Sequence, residues 1–152
     1  MFKIEYKIIN SDFDDFYGQN GFFQVLCNGF SYGEIYPEEL ESVMDKVSIV
    51  DWFERLVRVK EHLKTLDYVA LSDTESYNTW IEFRKNQRNL VISIIKADKV
   101  DGSHDIEYQL NNMENGDWVN QVVSFEQFCD EIQSKAKEYT EYVARKIIPR
   151  KC

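Results

Sequence analysis

Residues 2–8 alternate in character, with Phe2, Ile4, Tyr6 and Ile8 on one side and Lys3, Glu5 and Lys7 on the other. That period of two predicts a strand with one buried face. A polar loop follows from Asn10 to Gly21, dotted with Phe13, Phe16 and Tyr17. A second strand is expected over residues 22–30, with Phe23, Val25 and Cys27 sharing one face, and it ends near Asn28-Gly29, a pair suited to a turn or bulge. Residues 32–37 continue as a short extended piece that Pro37 confines to an edge or a turn.

The period then changes. Ile49, Trp52, Phe53, Leu56, Val59, Leu63 and Leu66 recur every three or four residues, an apolar stripe of about five helical turns. Ser48 is its expected N-cap and Asp51 suits the positive end of the helix dipole. Arg55, Arg58, Lys60 and Lys64 lie mostly away from the stripe. From Asp67 strand-like patterns return over residues 68–71, 79–85, 89–97, 105–110 and 118–123, rich in Ile, Val, Tyr and Trp. Turn chemistry separates them at 73–76, Asn86-Gln87, Asp101-Gly102 and Asn115-Gly116. Such short links favour an antiparallel meander.

A closing helix carries the stripe Phe125, Phe128, Cys129, Ile132, Ala136, Tyr139, Val143 and Ile147. Ser124 and Gln127 form a capping-box pattern, acidic residues sit early and basic ones late, and Pro149 ends it. The expected architecture is a single α+β domain spanning residues 1–152. It comprises one twisted antiparallel sheet of about six to eight strands with two main helices packed on one face.

Composition narrows the classes. Hydrophobic residues make up 43% and aromatics 14%, the makeup of a folded globule rather than a disordered segment. No apolar run approaches a membrane span, and residues 1–7 carry no signal core, so a cytoplasmic location is expected. Cys27, Cys129 and Cys152 contain no C-x-x-C spacing, which favours buried free thiols for the first two over a disulfide framework or a zinc site.

Charge changes the picture more. Between Asp12 and Asp51 nine acidic residues stand against one lysine, a formal charge of −8 within a chain whose total is −9. The acidity is local, and a local field attracts a cationic partner whereas diffuse charge mainly aids solubility. A pI near 4.7 argues against direct nucleic-acid binding. The same stretch holds Phe13, Phe16, Tyr17, Phe22, Phe23, Phe30, Tyr32 and Tyr36, and aromatic anchors inside a charged rim are a device of tight protein interfaces.

Candidate chemistry is thin. His62 reads as a helical surface residue, and Ser103-His104-Asp105 as neighbours in sequence do not make a triad, which a fold assembles. Asp12, Asp14 and Asp15 fail a calcium-loop pattern because Phe16 and Phe23 fall where oxygen ligands are needed. Gly18, Gly21, Gly29 and Gly33 spell neither a dinucleotide nor a P-loop motif. Glu38 with Glu39, and Glu41 with Asp45 on one expected helical face, read as charge display rather than acid–base pairs. No catalytic residue, cofactor or metal is assigned.

The segments Asn20-Gly21-Phe22-Phe23, Asn28-Gly29-Phe30 and Tyr32-Gly33-Glu34-Ile35-Tyr36-Pro37 resemble the early part of small bacterial immunity proteins. Those proteins guard cells against polymorphic toxins, including toxins of contact-dependent growth inhibition. The likeness covers about the first 60 residues and the element order. It implies a cytoplasmic antitoxin without enzymatic activity that binds the C-terminal domain of a toxin, many of which are nucleases with basic clefts. Asp12, Asp14, Asp15, Glu34, Glu38, Glu39 and Glu41 are the expected toxin-binding residues. Two other classes remain: a small-molecule-binding or enzymatic domain, its pocket between sheet and helices lined by Trp52, Trp80 and Trp118, and an adaptor subunit of a regulatory complex.

Overall fold

A computed structural model of the chain describes residues 1–9, 18–100 and 104–147. The alternation at the N-terminus forms β1 (Phe2–Ile8), which pairs antiparallel with β2 (Asn20–Cys27) from Phe2↔Cys27 to Ile8↔Gly21. Asn20 and Gly21, expected in the loop, are the first residues of β2. The strand also stops earlier than expected, at Cys27, because Asn28 (φ 53°) and Gly29 (φ 90°) both take the left-handed conformation of a tight hairpin turn. Phe30 therefore opens β3 (Phe30–Glu34), directly opposite Cys27. After a short 3-10 turn at Glu38–Leu40, β4 (Val47–Ser48) returns to pair with Asn20 and Gly21 of β2.

Ser48 then caps α1 (Ile49–Leu63), its Oγ accepting from the Asp51 N–H at 3.3 Å. Ile49, Trp52, Phe53, Leu56, Val59 and Leu63 are buried as their spacing requires. One expectation about this helix fails. Leu66 lies past the helix end and is exposed, so the helix is about one turn shorter than the stripe suggested. Arg55 is buried, because α1 packs beside a loop whose carbonyls need donors: its guanidinium reaches the Ser72 carbonyl at 3.4 Å and the Thr74 hydroxyl at 3.2 Å.

The second half forms a separate sheet. Its strands are β5 (Tyr68–Ser72), β6 (Thr79–Asn86), β7 (Asn89–Lys96), β8 (Ile106–Glu107), β9 (Glu114–Asn115) and β10 (Gln121–Ser124). The order is β10-β7-β6-β5-β8, with β9 also pairing β7. Only β5-β6-β7 is a meander. The chain leaves β7, crosses to the far edge as β8, and returns to β7 as β9 and β10, so the expected run of neighbours is broken. The strand expected over 105–110 shrinks to two residues, since Ile106 is buried but Tyr108 is exposed. Asn115 belongs to β9 instead of a turn, and Asp101-Gly102 lie outside the described residues.

The closing helix α2 (Phe125–Ile147) buries Phe128, Ile132 and Tyr139, with Phe125, Cys129, Ala136 and Val143 half-buried. Half of the capping box forms: the Gln127 N–H donates to Ser124 Oγ at 3.2 Å. The Gln127 side chain does not return to Ser124. It reaches the backbone of Phe2 instead. Pro149 and the basic residues after it lie outside the described residues.

Both sheets and both helices contribute to one core, in which Ile4, Phe23, Val25, Leu56, Leu71, Phe83, Ile92 and Phe128 meet. The class is α+β with two helices, as expected. Among the described residues the single sheet is in fact two antiparallel sheets, of four and six strands.

Candidate functional site

The construction of β2 opens a gap in the first sheet. On one edge of β2, β3 pairs as far as Phe23↔Glu34, and β4 resumes only at Gly21↔Val47. Residues 35–46 loop outward between these pairings, and Phe22 sits where the neighbour is missing. Phe22 is nevertheless buried, because Tyr36 from the outgoing loop covers it edge-on at 5.2 Å between ring centroids. Gly33 makes the departure possible: its φ is +88°, and a Cβ there would lie 2.3 Å from the Phe23 carbonyl oxygen.

The result is a cleft of about 490 Å³. Phe22, Phe23 and Trp52 are its apolar floor, Tyr32 and Tyr36 its aromatic walls, and Glu34, Asp45, Asp73, Glu75 and Asp117 its polar lining. Three separate parts of the chain supply those carboxylates: the 34–45 segment, the β5–β6 loop and the approach to β10. No Lys, Arg or His lines the cleft, and none of the five carboxylates forms an ion pair among the described residues.

The nearest cations are committed elsewhere. Lys99 donates to the carbonyls of Asp73 and Ser76 at 2.5 and 2.6 Å, and burial pulls its ammonium below the ordinary lysine range. Arg55 is held by Ser72 and Thr74. Asp73 is fixed in place, accepting from the Tyr32 hydroxyl and from the Glu75 N–H. Burial, and then that bond to Asp73, push the Tyr32 phenol far above its usual range, so Tyr32 stays a neutral donor. Lys99 offsets part of the charge of Asp73, while Glu34, Asp45, Glu75 and Asp117 have no ion pair among the described residues. Such like charges beside low-dielectric aromatic surface favour a cation entering the cleft.

The expected binding residues divide among several places. Glu34 lines the cleft. Glu38 and Glu39 are exposed on the 3-10 turn of the same outgoing loop, and Glu41 faces Lys7 in an ion pair of 3.3 Å that offsets its charge. Glu41 and Asp45 do not share a helical face, since the chain there is a 3-10 turn followed by further turns, and only Asp45 reaches the cleft. Asp12, Asp14 and Asp15 lie outside the described residues, as do Phe13, Phe16 and Tyr17. Of the other aromatics, Phe30 is exposed and stacks on Trp118 at 6.2 Å. Asp73, Glu75 and Asp117 were missed because they stand in short turn-like stretches far along the chain, and only the fold brings them to the cleft with Glu34 and Asp45.

Elsewhere the catalytic candidates do not assemble. His104 is exposed, its backbone N–H held by Glu107, and His62 meets Tyr108 at 3.5 Å on the surface. Cys27 is a buried free thiol and Cys129 a half-buried one. Among the described residues no group of three or more His, Cys, Asp or Glu side chains is placed to hold a metal ion. Among the described residues no helix is long and apolar enough to cross a membrane. Trp80 and Trp118 are core residues, their indole N–H groups bonded to the carbonyls of Ala97 and Ser31.

A larger cavity of about 660 Å³ lies between β1 and α2. Its charged residues balance, Glu5 and Glu138 against Lys135 and Arg145, so its lining carries no net formal charge. The charged cleft at Phe22 is the better functional candidate for that reason. No family model matches the sequence, and neither a curated protein nor a solved structure matches it.

Proposed function

We propose that this chain is a cytoplasmic immunity protein, one that neutralises a polymorphic or contact-dependent growth inhibition toxin by binding its basic, nuclease-type C-terminal domain. One observation carries the reading: an aromatic-floored cleft lined, among the described residues, by five carboxylates and by no basic side chain. Carboxylates there stand where a nuclease would hold the phosphates of its substrate. The protein acts by occupancy, without chemistry of its own. Complementary fields raise association rates to as much as ~10⁸–10⁹ M⁻¹s⁻¹ at low salt, useful when a toxin must be caught before it acts. A specific interface of this kind buries on the order of 1,200–2,000 Å², so the cleft would be its centre and Glu38 and Glu39 part of its rim.

The test is co-expression with the toxin domain encoded beside its gene. Growth should be rescued by the native chain and lost when Glu34, Asp45 and Asp117 are all reversed to Lys. Absence of rescue by the native chain would count against the neutralising role. A small-molecule-binding domain is the second reading, and the cavity between β1 and α2 favours it. Toxin rescue that survives filling that cavity would set the second reading aside.

A further inference from the structure

Trp52 combines three properties that no other residue of the cleft shares. It is 7% exposed, it lines the cleft, and its indole N–H has no acceptor among the described residues. The ring itself is already engaged: Phe23 stacks on it at 5.5 Å with planes 7° apart, and the Arg55 guanidinium carbon lies 4.8 Å from its centroid. No described side-chain nitrogen or oxygen is both fully buried and unpaired, so the Trp52 N–H retains an opening, and the cleft is the cavity it lines. Trp80 and Trp118, also buried, both have carbonyl acceptors, at 2.9 and 2.8 Å. A tryptophan this buried usually finds a partner for its N–H.

The Trp52 N–H is thus free to donate to an entering group, and the side chains around it are anionic. A simple cation satisfies the carboxylates and leaves the indole unmet, while an anion is repelled. One ligand class meets both demands: a cationic side chain carried on a peptide backbone, its charge among the carboxylates and a carbonyl on the indole. Arginine fits better than lysine. Its planar guanidinium offers several donors to carboxylates on different sides of the cleft, and a flat face to Tyr32 or Tyr36.

We propose that the cleft receives an arginine of a protein partner, with Glu34, Asp45 and Asp117 around the guanidinium and the Trp52 N–H donating to a backbone carbonyl of the same segment. This rests on the binding reading above and names what that site holds. Tyr32, tied to Asp73, acts as a fixed wall, so the pocket needs little rearrangement on binding.

The experiment uses the full-length, nitrogen-15-labelled chain, whose three indole N–H signals are separable by NMR. Before any ligand is added, the Trp52 signal should exchange with solvent much faster than those of Trp80 and Trp118. Titration with the blocked peptide acetyl-Gly-Arg-Gly-amide should then move the Trp52 signal and leave the other two in place. The citrulline twin, isosteric but uncharged, and the lysine twin should each bind about tenfold more weakly or worse, as should the Arg peptide to the Asp45→Asn/Asp117→Asn chain. Both aspartates are exposed, so this variant keeps the fold. The Trp52→Phe chain assigns the signal.

A Trp52 signal unmoved up to ~10 mM peptide, in a range that detects even millimolar affinity, would overturn the proposal. So would a citrulline or lysine peptide that binds as well as the arginine one. The two readings fail separately. Toxin rescue with a silent Trp52 signal keeps the binder and removes the arginine, whereas peptide binding without rescue keeps the arginine site and removes the toxin.

Discussion

The side-chain amide of Gln127 stands beside Phe2 as a neighbouring strand would: the Phe2 N–H donates to Gln127 Oε1 at 2.8 Å, and Gln127 Nε2 donates to the Phe2 carbonyl at 2.7 Å. The pattern continues along the edge. The Ile4 N–H donates to Glu131 at 2.8 Å, and Lys135 donates to the Ile4 carbonyl at 3.0 Å. Four residues of helix rise about 6 Å and two of strand about 6.7 Å, so side chains at 127, 131 and 135 keep step with alternate residues of β1. An unpaired edge is a liability for self-association, and α2 covers this one with side chains.

Replacing Gln127 with Ala should therefore cost about 1–3 kcal/mol, because both backbone groups of Phe2 lose their partner at a partly buried site. Urea denaturation measures the loss. Concentration-dependent association of the variant would confirm that the edge has opened. A midpoint equal to that of the native chain would show that water replaces the amide at no cost.

Gly33→Ala should be far more harmful than Gly29→Ala. Both glycines have φ near +90°, but a Cβ at Gly29 meets nothing within 4 Å, whereas one at Gly33 falls 2.3 Å from the Phe23 carbonyl oxygen. The first change costs about 1–2 kcal/mol of left-handed strain, and the second adds a backbone clash at the cleft floor. Thermal melts of the two variants should rank them in that order.

Cys27 should resist alkylation in the native state. Burial pushes its thiol up to about 11, a rise that the nearby N-terminal ammonium only partly offsets. Against the ordinary value of 9.0, that is about 100-fold less thiolate at neutral pH, before access is considered. The linkage has a definite sign: the raised value stabilises the fold fully below pH 9, and that contribution is lost as the pH climbs through about 11. Iodoacetamide labelling read by mass spectrometry, native against urea-unfolded, checks the rate.

On the proposed neutralising role, reversing Asp45 and Asp117 to Lys should slow association with the toxin domain by on the order of tenfold or more at low salt. The same change at Glu38 and Glu39 should have a smaller effect, since these lie on the outer loop and not in the cleft. Stopped-flow association at two ionic strengths separates the pairs. Equal effects would place the attraction in the net charge of the chain.

Much of the local structure was legible because its causes are local. The alternation at 2–8, the Ser48 cap and the stripes of α1 and α2 are each enforced by residues within a few positions, and each appears where its pattern put it except at Leu66, which lies past the end of α1. Arg55 is the instructive exception. Its place off the apolar stripe was read correctly, but its burial depends on carbonyls of Ser72 and on Thr74, which no helical period reports.

Of the acidic span from 12 to 51, Glu34 and Asp45 line the cleft. Sequence alone determined the α+β class, the two helices and the concentration of negative charge. The split into two sheets, the crossing of β8 to the far edge, and the meeting of Asp73, Glu75 and Asp117 with those two carboxylates were decided by tertiary structure. The reason is physical. Patterning acts over a turn or two of chain and sets which face of an element is buried, whereas sheet order and cleft charge depend on contacts between residues far apart in sequence.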